Sequence, residues 1–518
     1  MIQIIKSRGF MDKKILLIFI PLILSSFTSL WNITGFPSLH VDEGHYMRKA
    51  MSTLEGEGLQ PQDRYFAPYF GQILLAGLLG MIGYPDILHP SPDVESVESL
   101  YLIPRVIMGL FVVLDTFLIY KITEKRYGFK VALLASILFA VIPYGWLLRR
   151  IFLESIQLPL LLTSILLALY IKSNIIQEQN NNLNNNLNNK LGIKNISLIL
   201  LSGAFLGLAI FTKIPIFVMM PLVGYIVLSN SSNNKLKSLG LWLVPVILIP
   251  MMWPAHAYFI GDFNTWVEDV LHQTQRESKP LINSLATFFQ NDPITFSLGM
   301  VGILYAAIRK DIFILLFSVP FLLFLYWIDF VSSFHIVPLF PVFSIAAARL
   351  IVDLSNFIPI SKIKNTIPYA VVSVIAIVGL VSIFSLITID SNSVIFKAHA
   401  VLIQHLQQSN NTVTMMGNPL YIWMPRHVFD ISYQDRSYYS TRPLDTPNFI
   451  VIDDSGYEKI IKETSKRGTF HKNLFMQTHL IESIKPDNPL PKHNINIYPY
   501  TNLKQSPILK QLDIRANY

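Results

Sequence analysis

Long apolar stretches dominate this chain and leave only short polar segments between them. Each stretch is about as long as a helix needs to cross the ~30 Å hydrocarbon core of a bilayer. The stretches fall at 15–32, 101–120, 131–148, 151–171, 197–212, 214–229, 240–259, 294–308, 312–328, 335–353 and 366–389. Because only helices and closed barrels satisfy their backbone groups in lipid, we predict an α-helical polytopic membrane protein with about 11 transmembrane helices.

The composition agrees with a membrane protein and excludes several other classes. Hydrophobic residues make up 52% of the 518 residues and charged residues 14%, so a soluble fold would expose too much apolar surface. The net charge of +8 comes from Lys and Arg scattered through short loops, which is not a phosphate-tracking stripe, and we expect no nucleic-acid partner. The chain has no cysteine, which excludes disulfides, cysteine-ligated zinc and a thiol nucleophile.

The basic loops indicate which side of the membrane each segment faces. These loops are 121–130, 172–195, 230–239, 309–311 and 361–365. They share the cytosolic side with the N-terminus only if the short, glycine-containing run 70–84 does not cross the bilayer. We therefore predict a juxtamembrane helix for that run. We also expect a plasma-membrane protein with a cytosolic N-terminus and an external C-terminal part.

Two domains follow from this division of the chain. Residues 1–389 form the membrane domain, with an external loop at 33–100. Residues 390–518 alternate strand-like runs (412–416 and 448–453) with helix-like runs (393–408 and 457–467), which predicts a small external α/β domain. The Asn-rich segment 180–189 is predicted to be a linker in a cytosolic loop.

An acidic pair, Asp42-Glu43, follows the first apolar stretch on the predicted external side. A carboxylate at a partly desolvated interface, beside a second carboxylate, suits a general base that removes a proton from an acceptor hydroxyl. The structural alternative is an acidic cap on a helix that begins near Tyr46. His40 and His45 flank the pair, so a divalent metal site is a further alternative, although no fixed ligand spacing supports it. No other cofactor is expected.

Several ionisable residues at span ends are candidates for the same external site. Arg105 opens a span and suits a lipid phosphate, although a single Arg there often contacts headgroups. Arg150 and Glu154 are spaced i,i+4, so they either pair on one helix face or serve the site. Lys213 lies in a turn between two apolar runs, with a phosphate or Glu43 as its expected partner.

The late segment Phe334-His335-Ile336-Val337-Pro338 adds a histidine at another span entrance. His335 is a candidate to protonate or hydrogen-bond a departing phosphate, and the alternative is an interfacial histidine. We group Arg105, Arg150, Lys213 and His335 as lipid-phosphate-binding residues. Glu154 and Tyr46 are assigned to orienting the acceptor.

In order along the chain, these elements resemble the dolichyl-phosphate-mannose–protein mannosyltransferase family (glycosyltransferase family 39) and its relatives that transfer aminoarabinose to lipid A. The matching elements are Asp-Glu-Gly-x-Tyr at 42–46, Ala67-Pro68, Arg105, Arg150 with Glu154, Thr212-Lys213, and His335 with Pro338 and Pro341. The resemblance implies a C-type glycosyltransferase fold and an inverting single displacement, with Asp42 as base and Arg105 on the lipid phosphate. We assign Glu43 to the catalytic residues as a helper of Asp42. The chain departs from the family at Glu154, where Asp is usual, and at Phe66-Ala67-Pro68.

We therefore expect a glycosyltransferase that moves a mannose-like sugar from a polyprenyl or dolichyl phosphate to a hydroxyl of a protein or glycan on the external face. An oligosaccharyltransferase-like enzyme and a lipid-linked saccharide transporter are the alternatives. A transporter predicts internal repeats and broken helices near the midplane, and the sequence has no such repeats. A non-catalytic scaffold leaves the acidic pair among external cations unexplained.

Overall fold

The computed structural model describes residues 2–59, 65–171, 193–231, 235–276, 278–408, 413–417, 419–431, 433–437, 449–453, 479–484 and 512–516. Over these residues the chain is mostly helical. Helices α1–α9 are Ile2–Leu30, Val41–Leu54, Phe70–Met81, Val94–Tyr127, Phe129–Ala140, Leu153–Tyr170, Ile193–Thr212, Met220–Asn230 and Lys235–Phe259. Helices α10–α17 are Phe263–Thr274, Leu281–Asn291, Pro293–Ile308, Ile312–Ile328, Phe340–Ser355, Ser361–Ile387, Ser393–Gln408 and Pro419–His427.

Among the described residues, 6 helical segments are long and apolar enough to cross a membrane, or 7 if the bent pair Phe129–Ala140 and Pro143–Arg149 counts as one span. Five shorter apolar helical segments accompany them: Leu16–Leu30, Phe70–Met81, Ile214–Asn230, Pro293–Ile308 and Ile312–Ile328. The expectation of a helical membrane protein is confirmed. The count of 11 spans stays a prediction. So does the placement of 70–84 beside the membrane, although the 12-residue α3, about 18 Å long at 1.5 Å per residue, is short for a span.

Close helix contacts in the bundle depend on small residues. At Gly203 and Gly207 of α7, an added Cβ would come 2.4 Å from Trp242 O and 2.5 Å from Pro245 O of α9. Without side chains at these two positions, the backbones approach closely, as is typical of helices packed in membranes. The segment Ser333–Ser355, which contains α14, is the most buried of the six long apolar segments, with 89% of its apolar stretch buried.

Three helix breaks at one end of the bundle position polar residues there. The 3₁₀ segments Pro143–Arg149, Ile214–Met219 and Ser333–Leu339 each contain a proline, which cannot continue an α-helical hydrogen-bond ladder. The α5 break bends the chain by 72°. The predicted site residues lie at these breaks: Arg150 and Lys213 have extended backbone beside a 3₁₀ segment, and His335 lies within one.

The described part of the C-terminal tail packs against the membrane domain. Helix α16 lies on α4, and α17 lies on α2. The indole Nε1 of Trp423 donates to Tyr101 Oη at 3.0 Å, Tyr101 Oη donates to Leu420 O at 3.3 Å, and His399 Nε2 lies 2.7 Å from the same carbonyl. This buried network joins α4, α16 and α17.

Five strands follow in the tail: β1 Val413–Gly417, β2 Tyr433–Ser437, β3 Phe449–Asp453, β4 His479–Ile484 and β5 Leu512–Ala516. They form one mixed sheet in the order β2-β1-β3-β5-β4, with β1 parallel to β2 and β3, and β5 antiparallel to β3 and β4. The predicted helix at 393–408 and strands at 412–416 and 448–453 match α16, β1 and β3 to within a residue or so. The predicted helix at 457–467 and the Asn-rich segment lie outside the described residues. That 390–518 forms a separate external domain stays a prediction.

Candidate active site

The acidic pair begins helix α2, and His40 is the residue that caps it. His40 Nδ1 accepts from Asp42 N at 3.2 Å, and Glu43 Oε1 accepts from His40 N at 2.9 Å, which completes a capping box. The positive end of the helix dipole favours both carboxylates at this position. The structural alternative for the pair is therefore correct in part. Glu43 serves the cap, whereas Asp42 keeps its side chain at the surface, 35% exposed.

Glu43 turns away from the site and is entirely enclosed. Both of its oxygens accept from the guanidinium of Arg105, Oε2 from Nε at 3.0 Å and Oε1 from Nη2 at 2.8 Å, and Oε2 also accepts from Ile151 N at 3.1 Å. Burial by itself raises the pKa of Glu43, but the charge and hydrogen bonds of Arg105 outweigh it, and the pKa falls below its usual value. The prediction that Glu43 assists the base disagrees with this arrangement, because no part of the carboxylate faces the site.

Arg105 is likewise occupied by the protein. Its side chain is 0% exposed, and Nη1 donates to Ile33 O at 2.8 Å and to Pro37 O at 2.9 Å in addition to the two bonds with Glu43. The guanidinium thus joins α4 to the segment before α2. A direct contact with lipid phosphate, predicted from its place at a span entrance, does not fit so enclosed a side chain.

Arg150 and Glu154 do not share a helix face. Arg150 ends the 3₁₀ segment, and Phe152 is extended backbone before α6 begins, so the i,i+4 spacing crosses a break. Arg150 donates from Nε and Nη2 to Ser38 O at 3.1 and 2.8 Å and lies over the Trp146 ring at 4.9 Å. It is buried, but it interacts electrostatically with Asp42. It therefore positions the segment before α2, and its predicted contact with a lipid phosphate stays a prediction.

Lys213 pairs with Glu154 and not with Glu43. Lys213 Nζ donates to Glu154 Oε1 and lies 4.6 Å from the centre of the Phe334 ring. Glu154 is nearly fully buried, and Lys213 keeps part of its side chain exposed. The ion pair with Glu154 explains how Lys213 is stabilised between two apolar segments. It leaves part of the Lys213 side chain exposed.

Three packed aromatic rings, His40, Phe152 and Phe334, lie between Asp42 and Lys213. The His40 ring meets Phe152 edge-on at 5.3 Å and Phe334 at 6.3 Å, and Phe152 meets Phe334 at 5.3 Å. Burial, with Arg150, lowers the pKa of His40 despite Asp42 nearby. We therefore expect a neutral imidazole that positions the backbone of Asp42.

His335 contributes an oriented donor at the opposite rim. Its Nδ1 accepts from Ser332 N at 3.0 Å, so the neutral ring carries its proton on Nε2. Electrostatic interactions connect it with Lys213, Arg276 and Lys279. The structure thus brings His335 into the same group of residues as Lys213, as the sequence predicted.

Two cations of the loop between α10 and α11 were not singled out from the sequence. Arg276 and Lys279 lie over the Phe330 ring at 4.9 and 5.3 Å. Two backbone hydrogen bonds hold Lys279 there: Lys279 N donates to Asp329 O at 2.7 Å, and Val331 N donates to Lys279 O at 2.8 Å. Burial lowers the pKa of Arg276, and the charge of Asp42 opposes that shift. No sequence spacing marks these residues, and the only signal for them is their place between the apolar stretches 240–259 and 294–308.

Tyr46 lies one turn after Asp42 on α2. It interacts electrostatically with Asp42, Glu154 and Arg276, and burial followed by the two carboxylates raises its pKa well above the usual value. Its hydroxyl therefore stays protonated, and it can donate a hydrogen bond but cannot act as a base. This is compatible with the predicted orienting role.

The resulting arrangement has one partly exposed carboxylate facing several cations. In the part of the chain that the structure describes, no group of three metal-ligating side chains includes Asp42 or its flanking histidines. The alternative of a divalent metal at Asp42-Glu43 therefore stays a prediction, and the described residues supply no set of three ligands for it. The arrangement brings a partly exposed carboxylate, Asp42, together with positive charge from Lys213, Arg276 and Lys279 and an N–H donor from His335.

Comparisons with solved structures identify the fold. ArnT from Cupriavidus metallidurans bound to undecaprenyl phosphate matches with a TM-score of 0.54 and 11% identity, over 97% of this chain and 98% of that one. Its apo state matches with a TM-score of 0.54 over 99% and 98%. The Archaeoglobus fulgidus oligosaccharyltransferase tethered with an acceptor peptide containing the NVT sequon matches with a TM-score of 0.52 and 12% identity, over 85% and 69%.

The chain therefore has the C-type glycosyltransferase membrane fold. Among the proteins that share it are the ArnT and the oligosaccharyltransferase named above. No protein-family model and no curated protein matches the chain. Membership of glycosyltransferase family 39 in particular stays a prediction.

Proposed function

We propose that this protein is a membrane glycosyltransferase that moves a sugar from a polyprenyl phosphate to a hydroxyl acceptor by inverting single displacement. One observation carries the proposal. Of the three acidic side chains considered above, Glu43 pairs with Arg105 and Glu154 with Lys213, whereas Asp42 is partly exposed and interacts with Arg276. The shared fold with a protein bound to undecaprenyl phosphate supports a lipid-phosphate donor.

Asp42 acts as the base in this reaction. As the bond forms between the acceptor oxygen and the anomeric carbon, Asp42 removes the proton of the acceptor hydroxyl. The bond from the anomeric carbon to the phosphate oxygen breaks on the opposite face of the sugar. A partly exposed carboxylate next to a solvated acceptor suits this role.

The cations act on the departing phosphate. A phosphodiester donor carries one negative charge, and the lipid phosphate gains another as the glycosidic bond breaks. Lys213, Arg276 and Lys279 therefore interact more strongly with the transition state than with the bound donor, which is the condition for a catalytic effect. His335 adds a hydrogen bond from Nε2–H, and Glu154 holds Lys213 in place. The donor lipid lies in the membrane, and we assign the reaction to the external face.

A panel of polyprenyl-phosphate sugars incubated with purified protein tests the proposal, with released lipid phosphate as the readout. The panel starts from mannose, which the sequence resemblance favours, and is combined with serine- or threonine-containing peptides and with glycans as acceptors. We expect Asp42→Asn to abolish release on the donor that the wild type uses. Asp86→Asn changes an exposed carboxylate between α3 and α4 and serves as the matched control. If Asp42→Asn releases lipid phosphate at the wild-type rate, Asp42 is not the base.

An oligosaccharyltransferase-like reaction is the second candidate, because an oligosaccharyltransferase shares the fold. Sequon peptides in the same panel distinguish the two. Modification of a sequon asparagine with no modification of hydroxyl acceptors would favour the second candidate. Movement of intact donor across vesicles without release of lipid phosphate would favour a transporter.

A further inference from the structure

A second cluster of chemically active side chains lies at the far end of α2, away from Asp42. Glu55 ends the helix, and Glu57 follows after Gly56, which adopts a left-handed backbone with φ of 78°. Both glutamates meet His427, the last residue of α17 in the C-terminal tail. His427 Nδ1 lies 2.8 Å from Glu55 Oε2, and one donor atom from each of the three side chains lies within 4.8 Å of the other two.

The donor set is that of a divalent transition-metal site. One imidazole and two carboxylates are ligands that Zn²⁺ accepts, with bonds of about 2.0–2.2 Å that place tetrahedral ligand atoms about 3.4 Å apart. Closing the widest separation to that value takes a rotation of the two exposed glutamates. The His427 side chain is only 1% exposed, so packing fixes its position, and the two glutamates rotate toward it. The exposed side of the cluster leaves a fourth position for water.

The local charge also favours a cation. Arg426 Nη2 donates to Glu57 Oε1 at 2.5 Å and engages only one of the two Glu57 oxygens. The Glu55 carboxylate faces His427. A metal ion takes the place of the Nδ1 hydrogen of His427, and the ring then keeps its proton on Nε2.

We propose that Glu55, Glu57 and His427 bind a divalent cation of the zinc class, which links the C-terminal tail to the helix that carries Asp42. The link joins residues about 370 positions apart in the sequence, at the point where α17 packs on α2. Because α2 is a continuous helix of 14 residues, an ion at its C-terminal end restrains the orientation of the whole helix. The site lies outside the catalytic machinery described above and does not depend on the reaction proposed for it.

Zinc titration of the full chain tests the site. The protein is purified in detergent without a polyhistidine tag, stripped with EDTA, and titrated with Zn²⁺ alone, with bound metal counted by mass spectrometry and affinity measured by calorimetry. We expect one Zn²⁺ per chain. Glu55→Gln and His427→Gln should each weaken binding by at least about tenfold, whereas His272→Gln, an exposed histidine on α10, should not change it.

The Arg426→Gln variant makes the test independent of misfolding. Weaker Zn²⁺ binding in a variant that lacks a ligand can reflect a damaged fold. Removing the competing guanidinium of Arg426 should instead tighten Zn²⁺ binding. Hydrogen exchange gives a second readout, since Zn²⁺ should slow exchange at 51–58 and 419–431 in the wild type and not in Glu57→Gln. Absence of stoichiometric binding overturns the proposal, as does binding that Glu55→Gln and His427→Gln leave unchanged. Weaker binding in Arg426→Gln also overturns it.

Discussion

The enclosed pair of Glu43 and Arg105 gives the sharpest test of how this site is built. Arg105 makes four hydrogen bonds to Glu43, Ile33 O and Pro37 O at 2.8–3.0 Å, and neither side chain is exposed. Removing one partner leaves an uncompensated buried charge, which costs about 3–5 kcal/mol. We therefore expect Glu43→Gln and Arg105→Gln each to lower the stability of the protein by an amount in that range.

Chemical unfolding in detergent, followed by far-UV circular dichroism, measures the loss of stability. The double variant completes a mutant cycle, and its loss should be well below the sum of the two single losses because the same pair is removed. Glu95→Gln changes an exposed glutamate in the first turn of α4, and it should stay within about 0.5 kcal/mol of the wild type.

The kinetics of the surviving fraction decide between structure and ligand binding. If Arg105 only supports the fold, the KM for the donor in Arg105→Gln stays near the wild-type value once the folded fraction is taken into account. An unchanged stability with a strongly raised KM would refute the reasoning, because it would show that the guanidinium reaches the lipid phosphate.

The same pair has a pH dependence with a defined sign. The pKa of Glu43 is lower in the folded protein than its usual value of 4.5. Its contribution to stability is therefore fully present above about pH 4.5 and is lost as the pH falls through the lower, folded value. The Glu43→Gln variant should lack this acid-side loss.

Three further outcomes are expected. Lys213→Met should lower kcat by about 10²–10³-fold, measured as lipid-phosphate release, and Lys213→Arg should recover part of it; an unchanged kcat would remove Lys213 from the reaction. Burial lowers the pKa of His399 despite its two carbonyl contacts, so stability at the tail should fall as the pH drops below about 6.5. Hydrogen-exchange protection of 393–408 should fall accordingly, and His399→Asn should flatten that response. Single cysteines at 125 and 279 of this cysteine-free chain should react with a membrane-impermeant maleimide from opposite sides, with 279 external, and labelling of 279 from the cytosol would invert the orientation.

Helical period explains which carboxylate of the acidic pair is buried, and the sequence contains that signal. Glu43 shares a face of α2 with Met47, Ala50 and Met51, all buried, at the i, i+4, i+7 and i+8 spacing of a core-facing stripe. Asp42 lies about 100° around the helix from Glu43 and faces outward. The apolar stripe is therefore enough to assign a buried role to Glu43 and an exposed role to Asp42.

The partners of the charged residues were harder to predict. The i,i+4 rule applied to Arg150 and Glu154 assumes an unbroken helix, and the extended backbone at Phe152 removes that condition. The pairing of Glu154 with Lys213 joins different helices, and no local spacing encodes it. The same limit applies to Arg276, which reaches the site from a loop. The membrane fold and the grouping of ionisable residues at one end of the bundle were predictable because they depend on apolar length and loop charge alone.

The helix breaks at Pro143, Pro215 and Pro338 also set how this protein sits in lipid. Regular α-helix is interrupted at the 3₁₀ segments that contain these prolines, so polar residues lie at the breaks and not at the ends of uninterrupted helices. We expect the depth of Lys213 and Glu154 relative to the headgroups to depend on the thickness of the surrounding leaflet. If the reaction proposed above takes place beside this ion pair, a thicker leaflet should separate the donor phosphate from the water that brings the acceptor. Hydrophobic mismatch costs fractions of a kcal/mol per Å, so we expect the proposed release of lipid phosphate to change with the fatty-acyl length of the host membrane, as measured in bilayers of different acyl length.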